Sequence, residues 1–204
     1  MDYVRTAYSD ETNLLSDVLK LYNGGKPIDL DPCYSIGRIY RKLSEPRLKF
    51  DVSPQADGVI QASSTNLPIP SSSVLSALFD PPFVTGGKTN TGIISTRFSH
   101  FRTIEDLIQM YFESMLELKR VVVPDGLILF KCQDQVYFHK QFMTHVHVIN
   151  KCYELGMFVH DLIVLHRKHA IISGHVKKQE HARKTHCYYL VISNGLKNPA
   201  LRWK

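Results

Sequence analysis

The sequence predicts an α/β domain built on a mostly parallel sheet, with one antiparallel strand at the end and helices on both faces. Three features predict it. Apolar runs of strand length stand at 74–79 and 127–131, amphipathic helical periodicity separates and follows them, and two further strand-like segments close the chain. At 204 residues the chain is long enough for one such domain with a full core and short for two, so a single domain over 1–204 is expected.

The first helix is expected over 12–22, where Leu14, Leu15, Val18 and Leu19 share a face and Asn23-Gly24-Gly25 stops it. A short strand follows in Pro27–Pro32 and leads into a turn through Cys33, Tyr34, Ser35, Ile36 and Gly37. Leu48 and Phe50 mark a second strand over 47–51, ending in Asp51. The stretch 53–73 is rich in Ser, Pro, Asn and Gln and reads as loop, with one short strand near Val59-Ile60. Val74–Phe79 reads as a buried strand that the prolines of Asp80-Pro81-Pro82 forbid from continuing.

Residues 103–120 carry Ile104, Leu107, Ile108, Tyr111, Phe112 and Met115 at helical spacing, opened by Thr103 with Asp106 three residues on. Pro124-Asp125-Gly126 turns the chain into a strand over 127–131. A helix over 139–155, with Phe142, Val146, Ile149, Cys152 and Tyr153 inward, closes at Gly156. Strands at 157–165 and 186–193 complete the set.

Composition narrows the classes. No stretch approaches the roughly 20 apolar residues of a membrane helix, and the N-terminal residues form neither a signal core nor a basic targeting pattern, so a cytoplasmic protein is expected. Cys33, Cys132, Cys152 and Cys187 stand singly, which argues for free thiols. The histidines at 145, 147, 175, 181 and 186 match neither a helical metal pair nor a Cys/His finger, and no metal is expected. The net charge of +6 favours a polyanionic partner.

That charge is concentrated. The stretch 166–186 holds Arg167, Lys168, Lys177, Lys178, Arg183 and Lys184 against the single acid Glu180, a pattern suited to phosphate contacts. Lys88, after Gly86-Gly87, is a further candidate substrate contact beside the tetrad at 80–83.

Asp80-Pro81-Pro82-Phe83 combines a carboxylate, a rigid diproline and an aromatic at the carboxyl end of a buried strand. An aromatic amine is a poor nucleophile because its lone pair is delocalised, so a catalyst must offer acceptors that favour a pyramidal nitrogen. Asp80 and the backbone carbonyl of Pro81 are of that kind, and Phe83 could stack on the base. Asp31 and the turn to Gly37 occupy the place where open α/β sheets bind ligands, and Asp51 the acidic position that binds ribose hydroxyls.

Asp80-Pro81-Pro82-Phe83 resembles motif IV of the S-adenosylmethionine-dependent amino-methyltransferase superfamily, of the form [D/N/S]-P-P-[Y/F/W]. Leu30-Asp31-Pro32-Cys33-Tyr34-Ser35-Ile36-Gly37 is similar to its motif I, about 50 residues upstream. The resemblance implies a Rossmann-like methyltransferase fold and S-adenosyl-L-methionine as cofactor, cradled by Asp31, Pro32, Cys33, Tyr34, Ser35 and Gly37. It also implies catalysis by the tetrad on an exocyclic amino group of a nucleic-acid base, adenine in DNA before RNA. The sequence departs from the pattern where Tyr34 and Ser35 replace small residues. Two other readings keep the fold: a protein lysine or glutamine methyltransferase, and a non-catalytic nucleic-acid-binding subunit. A separate target-recognition domain is not expected in this chain, so specificity is expected to be short or borrowed from a protein partner.

Overall fold

The computed structural model describes residues 3–83, 101, 103–166, 180–182 and 184–195. Lys88, Arg167, Lys168, Lys177, Lys178 and Arg183 lie outside the described residues. Among the described residues no helix is long and apolar enough to cross a membrane.

A mixed sheet forms the centre. Its strands are β1 (Ala7–Tyr8), β2 (Leu30–Asp31), β3 (Leu48–Asp51), β4 (Ile60–Gln61), β5 (Val74–Phe79), β6 (Val122–Cys132), β9 (Phe158–His166) and β10 (His186–Ser193). A separate hairpin joins β7 (Gln135–Tyr137) to β8 (Lys140–Phe142). The sheet order is β1-β9-β10-β6-β5-β2-β3-β4. Successive strands run outward from β2 in one direction and from β5 in the other, so the order reverses between β2 and β5, which are parallel neighbours. A crevice opens beyond the carboxyl ends of two strands at such a point. The antiparallel strand, β10, is the last of the described strands, but it sits inside the sheet, hydrogen-bonded to both β6 and β9.

Helix α1 (Glu11–Tyr22) is capped by the Asp10 side chain and stops at Asn23, followed by Gly24 and Gly25 at positive φ. Its buried leucines pack on one face of the sheet with Leu78, Leu129, Ile163, Tyr189 and Val191. Helix α2 (Ile104–Val121) opens with the Thr103–Asp106 capping box. With α3 (Thr144–Glu154) it covers the other face, where Leu107, Tyr111, Met115, Leu118, Val148 and Cys152 meet Phe79, Ile128 and Phe130. Alternate residues of β5 and β6 thus feed two cores, as the two-residue period of a strand requires.

Three expectations change. The helix expected over 139–155 starts at Thr144, because Lys140–Phe142 pair back on Gln135–Tyr137 through Phe138 and His139, both at positive φ. Its buried face is Thr144, Val148 and Cys152, while Val146 and Tyr153 are exposed and Phe142 belongs to β8. The strand expected over 127–131 extends back to Val122, with Pro124-Asp125-Gly126 inside it as an irregularity; Val74 pairs with Val122 but Ser76 with Leu127. A Cβ on Gly126 would lie 2.5 Å from the Val122 side chain and 2.8 Å from the Leu75 carbonyl, so no larger residue fits.

The polar stretch 53–73 is held down from α2. Arg120 donates to the carbonyls of Leu67 and Ile69 and is paired with Glu117, whose carboxylate accepts the Leu67 N–H at 2.6 Å. These bonds tie Leu67 and Ile69 to the last turns of α2.

Candidate active site

The turn after β2 is organised by a buried carboxyl. Asp31 is 2% exposed; its Oδ1 accepts the Cys33 N–H and its Oδ2 the Tyr40 hydroxyl, both at 2.8 Å. Burial pushes the Asp31 pKa up to about 7, against the pull of those two hydrogen bonds and with help from the carboxylates of Asp80 and Asp51. The turn continues through Tyr34, whose N–H donates to the Phe50 carbonyl, and Ser35, at φ +52°, whose N–H donates to Asp51. Asp51 also accepts the Ser53 N–H at 2.8 Å. An ionised carboxylate offers about four acceptor positions, so these two bonds leave Asp51 capacity for ligand hydroxyls.

Gly37 stands at φ +63°, and a Cβ there would lie 2.3 Å from the Tyr34 hydroxyl oxygen. The space its missing side chain leaves is filled by Tyr34, which stacks on Tyr40 at 5.6 Å. The glycine and the tyrosine that departs from the motif are therefore matched to one another.

On the opposite lip, β5 delivers Asp80. Its carboxylate lies 2.9 Å from Nζ of Lys131, near the end of β6, and Lys131 reaches Glu11 of α1 at 2.6 Å. Tyr189 of β10 donates its hydroxyl to the same Glu11 carboxylate at 2.7 Å. Burial disfavours the Lys131 ammonium, but the carboxylates of Asp80 and Glu11 outweigh it and raise its pKa above the ordinary lysine value. Pro81 is buried. The Pro82 carbonyl accepts the hydroxyl of Tyr111, a fully buried α2 residue packed edge-on against Phe79 and Phe130. Phe83 is half-buried, its ring centroid 5.7 Å from the Lys131 ammonium.

Between the two lips lies a cavity of about 180 Å³. Pro32, Cys33, Ser35 and Asp51 bound it on one side and Asp80 and Pro82 on the other, with Val52, Ser63, Ser64, Phe101 and Met110 completing the wall. The Asp80 side chain is 29% exposed and faces this space. Asp31, Tyr34 and Gly37 support the turn, outside the cavity wall. Lys184 is half-buried just before β10.

Several residues that shape the site carried no role in the sequence. Lys131 reads there as the last residue of a strand and Tyr111 as one apolar position of a helix, while Glu11 and Tyr40 carry no signal. Their parts depend on partners tens of residues away, which no local pattern displays.

A second polar cluster follows β6. Buried Asp134 accepts from His145 Nδ1 at 2.7 Å and from the Tyr188 hydroxyl at 3.4 Å, and His186 is hydrogen-bonded to Tyr188. His147 stacks on Phe142. Among the described residues no group of three or more His, Cys, Asp or Glu side chains is arranged to hold a metal ion.

The donor set fits a nucleoside sulfonium. Two carboxylates face a largely apolar cavity, Asp51 with acceptor capacity for vicinal hydroxyls and Asp80 as the first residue of the tetrad, as a cationic, ribose-bearing ligand requires.

Comparison with known proteins agrees with this geometry. Residues 75–203 match the N6/N4 methylase family model, described as DNA methylase. Comparison with curated protein sequences gives no match. Among solved structures, a protein from Thermus thermophilus described as a DNA modification methylase, complexed with S-adenosyl-L-methionine, is 20% identical. The similarity covers 66% of this chain and 54% of that one, with a TM-score of 0.42. The PvuII cytosine-N4-specific DNA methyltransferase is 14% identical over 62% of this chain and 44% of its own, at TM-score 0.46. A chain from a Haloferax volcanii complex between a methyltransferase activator and a methyltransferase is 12% identical, covering 89% and 90%, at TM-score 0.49. The chain spans about half the length of the DNA methyltransferases it matches.

Proposed function

This chain belongs to the N6/N4 DNA methylase family, and from that premise we propose that it methylates the exocyclic amino group of a nucleic-acid base, adenine in DNA first. Its sheet order and inserted antiparallel strand make the domain a Rossmann-like methyltransferase fold. The observation that carries the proposal is the meeting of Asp80 and Pro82 with Asp51 and the Pro32–Ser35 turn around one cavity at the switch between β2 and β5.

Asp51 would hold the ribose hydroxyls of S-adenosyl-L-methionine, and Pro32, Cys33 and Ser35 would form the floor beside it. When bound, the cofactor supplies a methyl group activated by a sulfonium. The chain's own work is on the acceptor. Asp80 takes a hydrogen bond from the amino group, the Pro81 carbonyl takes the second N–H, and the nitrogen lone pair is thereby turned out of conjugation. Phe83 stacks on the base, and the diproline, tied to Tyr111 through Pro82, keeps these groups in fixed relation. A base reaches such a corner only when taken out of its stack, which costs least in a single strand or at a mismatch. Adenine presents a larger face to Phe83 than cytosine does, which supports adenine as first acceptor. The basic residues at 166–186 supply the phosphate contacts in this reading, and a protein partner supplies target choice.

Labelled S-adenosyl-L-methionine, offered with duplex DNA, single-stranded DNA, RNA and protein acceptors, tests the proposal. Label in DNA, recovered on hydrolysis as N6-methyladenine and lost in Asp80→Ala, is the expected result. Label on cytosine or in RNA would redirect the substrate assignment. Cofactor binding with no label in any acceptor would overturn catalysis in favour of a binding subunit.

A further inference from the structure

The one charged residue inside the apolar run of β6 is Lys131, and its side chain is only 6% exposed. A buried ammonium is costly unless it is paired. Here it is paired twice, with carboxylates brought by two different elements: Asp80 after β5 and Glu11 at the start of α1. Tyr189 anchors Glu11 from β10, so four elements converge on one cation. The same ammonium lies 5.7 Å from the Phe83 ring centroid. One side chain thus contacts the first and the last residue of the tetrad.

We infer that Lys131 is the positioning residue of this site, fixing Asp80 as an ionised hydrogen-bond acceptor and keeping it from serving as a proton acceptor. The inference rests on the role given to Asp80 above. In that role the proton shed by the alkylated nitrogen goes to water, and Asp80 stays a carboxylate throughout. Glu11 has a purpose in the arrangement. By sharing the ammonium it leaves the Glu11–Lys131–Asp80 group with a net charge of −1, which suits a cationic donor, and prevents Asp80 from being fully neutralised.

The field at Asp80 comes from several elements. Asp31 at the end of β2, Cys33 after it, Tyr40, and Tyr111 of α2 all interact with it. Tyr189 and Cys187 of β10 and Glu11 of α1 surround Lys131. Among the described residues named here, Lys131 is the cation. Removing it takes an ammonium from 2.9 Å of the Asp80 carboxylate, so the Asp80 carboxyl should move.

The test uses the full chain with Lys131→Met, Lys131→Arg and Glu11→Gln. Three quantities are read: the carboxyl titration of Asp80 by NMR, cofactor affinity by calorimetry, and the pH profile of kcat on the acceptor identified above. In Lys131→Met the Asp80 midpoint should rise by about one pH unit or more. The acid limb of kcat should move with it, kcat near neutrality should fall about tenfold or more, and cofactor affinity should be kept or tightened. Lys131→Arg should restore the titration. If Lys131→Met does not fold, Glu11→Gln carries the test, because leaving Lys131 to Asp80 alone should lower the Asp80 midpoint. An Asp80 titration that moves in neither variant would overturn the inference and leave Lys131 a structural ion-pair partner. Since that titration needs no acceptor, a wild-type protein that methylates nothing would sink the reading of Asp80 as catalytic while the charge relation is still decided.

Discussion

On one lip of the cavity the Asp80 carboxylate rests on a buried ammonium, whereas on the other the Asp31 carboxyl rests on a peptide N–H and a phenol. The first arrangement holds a charge in place. The second favours a proton, because burial lifts the Asp31 pKa to about 7. The ammonium beside Asp80 favours its charged form, and on the other lip a packed turn rests on a carboxyl that gains a proton as pH falls through about 7. The two lips differ as the work proposed for them differs. Aiming an acceptor at an amine takes charge, and shaping a backbone turn takes only hydrogen bonds.

The sharpest way to break this comparison is to cut each lip separately. Asp80→Ala removes an acceptor realised in the reaction and should lower kcat by about a hundredfold to a thousandfold while leaving cofactor affinity within about twofold. Asp51→Ala should do the reverse, weakening cofactor binding about tenfold or more with a smaller effect on kcat, because it faces the cofactor side and also releases the N–H groups of Ser35 and Ser53. Steady-state kinetics with calorimetry read both. If the two variants change the same parameter, the lips do not divide the work.

Next in size is the pH dependence of stability. The folded-state pKa of Asp31, about 7, lies above its ordinary value of 3.8, so between those limits the folded chain holds a proton that the unfolded chain has lost. Its contribution is greatest below about pH 4 and is lost as pH rises through about 7, a change of the order of 4 kcal/mol. In Asp31→Asn this slope should vanish, so that the Tm difference between variant and wild type shifts in favour of the variant from pH 4 to pH 8. A constant difference over that range would show that Asp31 is ionised in the folded protein.

Much of the scaffold was legible because its signals are local. The apolar runs gave β5 and β10 with their bounds, Thr103 and Asp106 gave the start of α2, and Asn23-Gly24-Gly25 gave the end of α1. The tetrad and Asp51 were visible as strand-end residues for the same reason. What was hidden is set by tertiary context. The β7–β8 hairpin turns on Phe138 and His139, residues that do not announce positive φ, and so 139–143 read as the start of a helix. Lys131 looks like a strand-end lysine reaching water until Glu11, 120 positions earlier, is placed beside it. The order of the 53–73 stretch comes from Arg120 and Glu117, which its own composition does not reveal. The basic residues at 166–184 carry their meaning in charge alone, since most lie outside the described residues.

Gly37 offers a smaller test of the cofactor lip. In Gly37→Ala the new Cβ meets the Tyr34 hydroxyl oxygen and Cζ at 2.3 and 2.4 Å, at a φ of +63° that disfavours alanine. Tyr34 is buried against Tyr40 and has little freedom to retreat. A loss of about 2 kcal/mol is expected, or a fall in Tm of roughly 4–8 °C. Adding Tyr34→Ala should recover part of it, since the clash is with that ring. Strictly additive losses would show that the strain lies in the backbone alone.

The smallest expected effect concerns the join between the core and the catalytic lip. Tyr111 buries its ring between Phe79 and Phe130 and spends its hydroxyl on the Pro82 carbonyl at 3.1 Å. Tyr111→Phe keeps the ring and deletes the bond, so stability should fall by only about 1 kcal/mol. The Pro82 carbonyl would then be free to turn, and with it the orientation of Pro81 and Phe83 relative to Asp80. If the diproline works as a rigid mount, kcat should fall several-fold with cofactor affinity intact, because the cofactor lip on the far side of the cavity does not share this bond. A kcat equal to wild type would mean that the two prolines hold the tetrad by their ring constraints alone, and that the core contributes packing to this lip but no alignment.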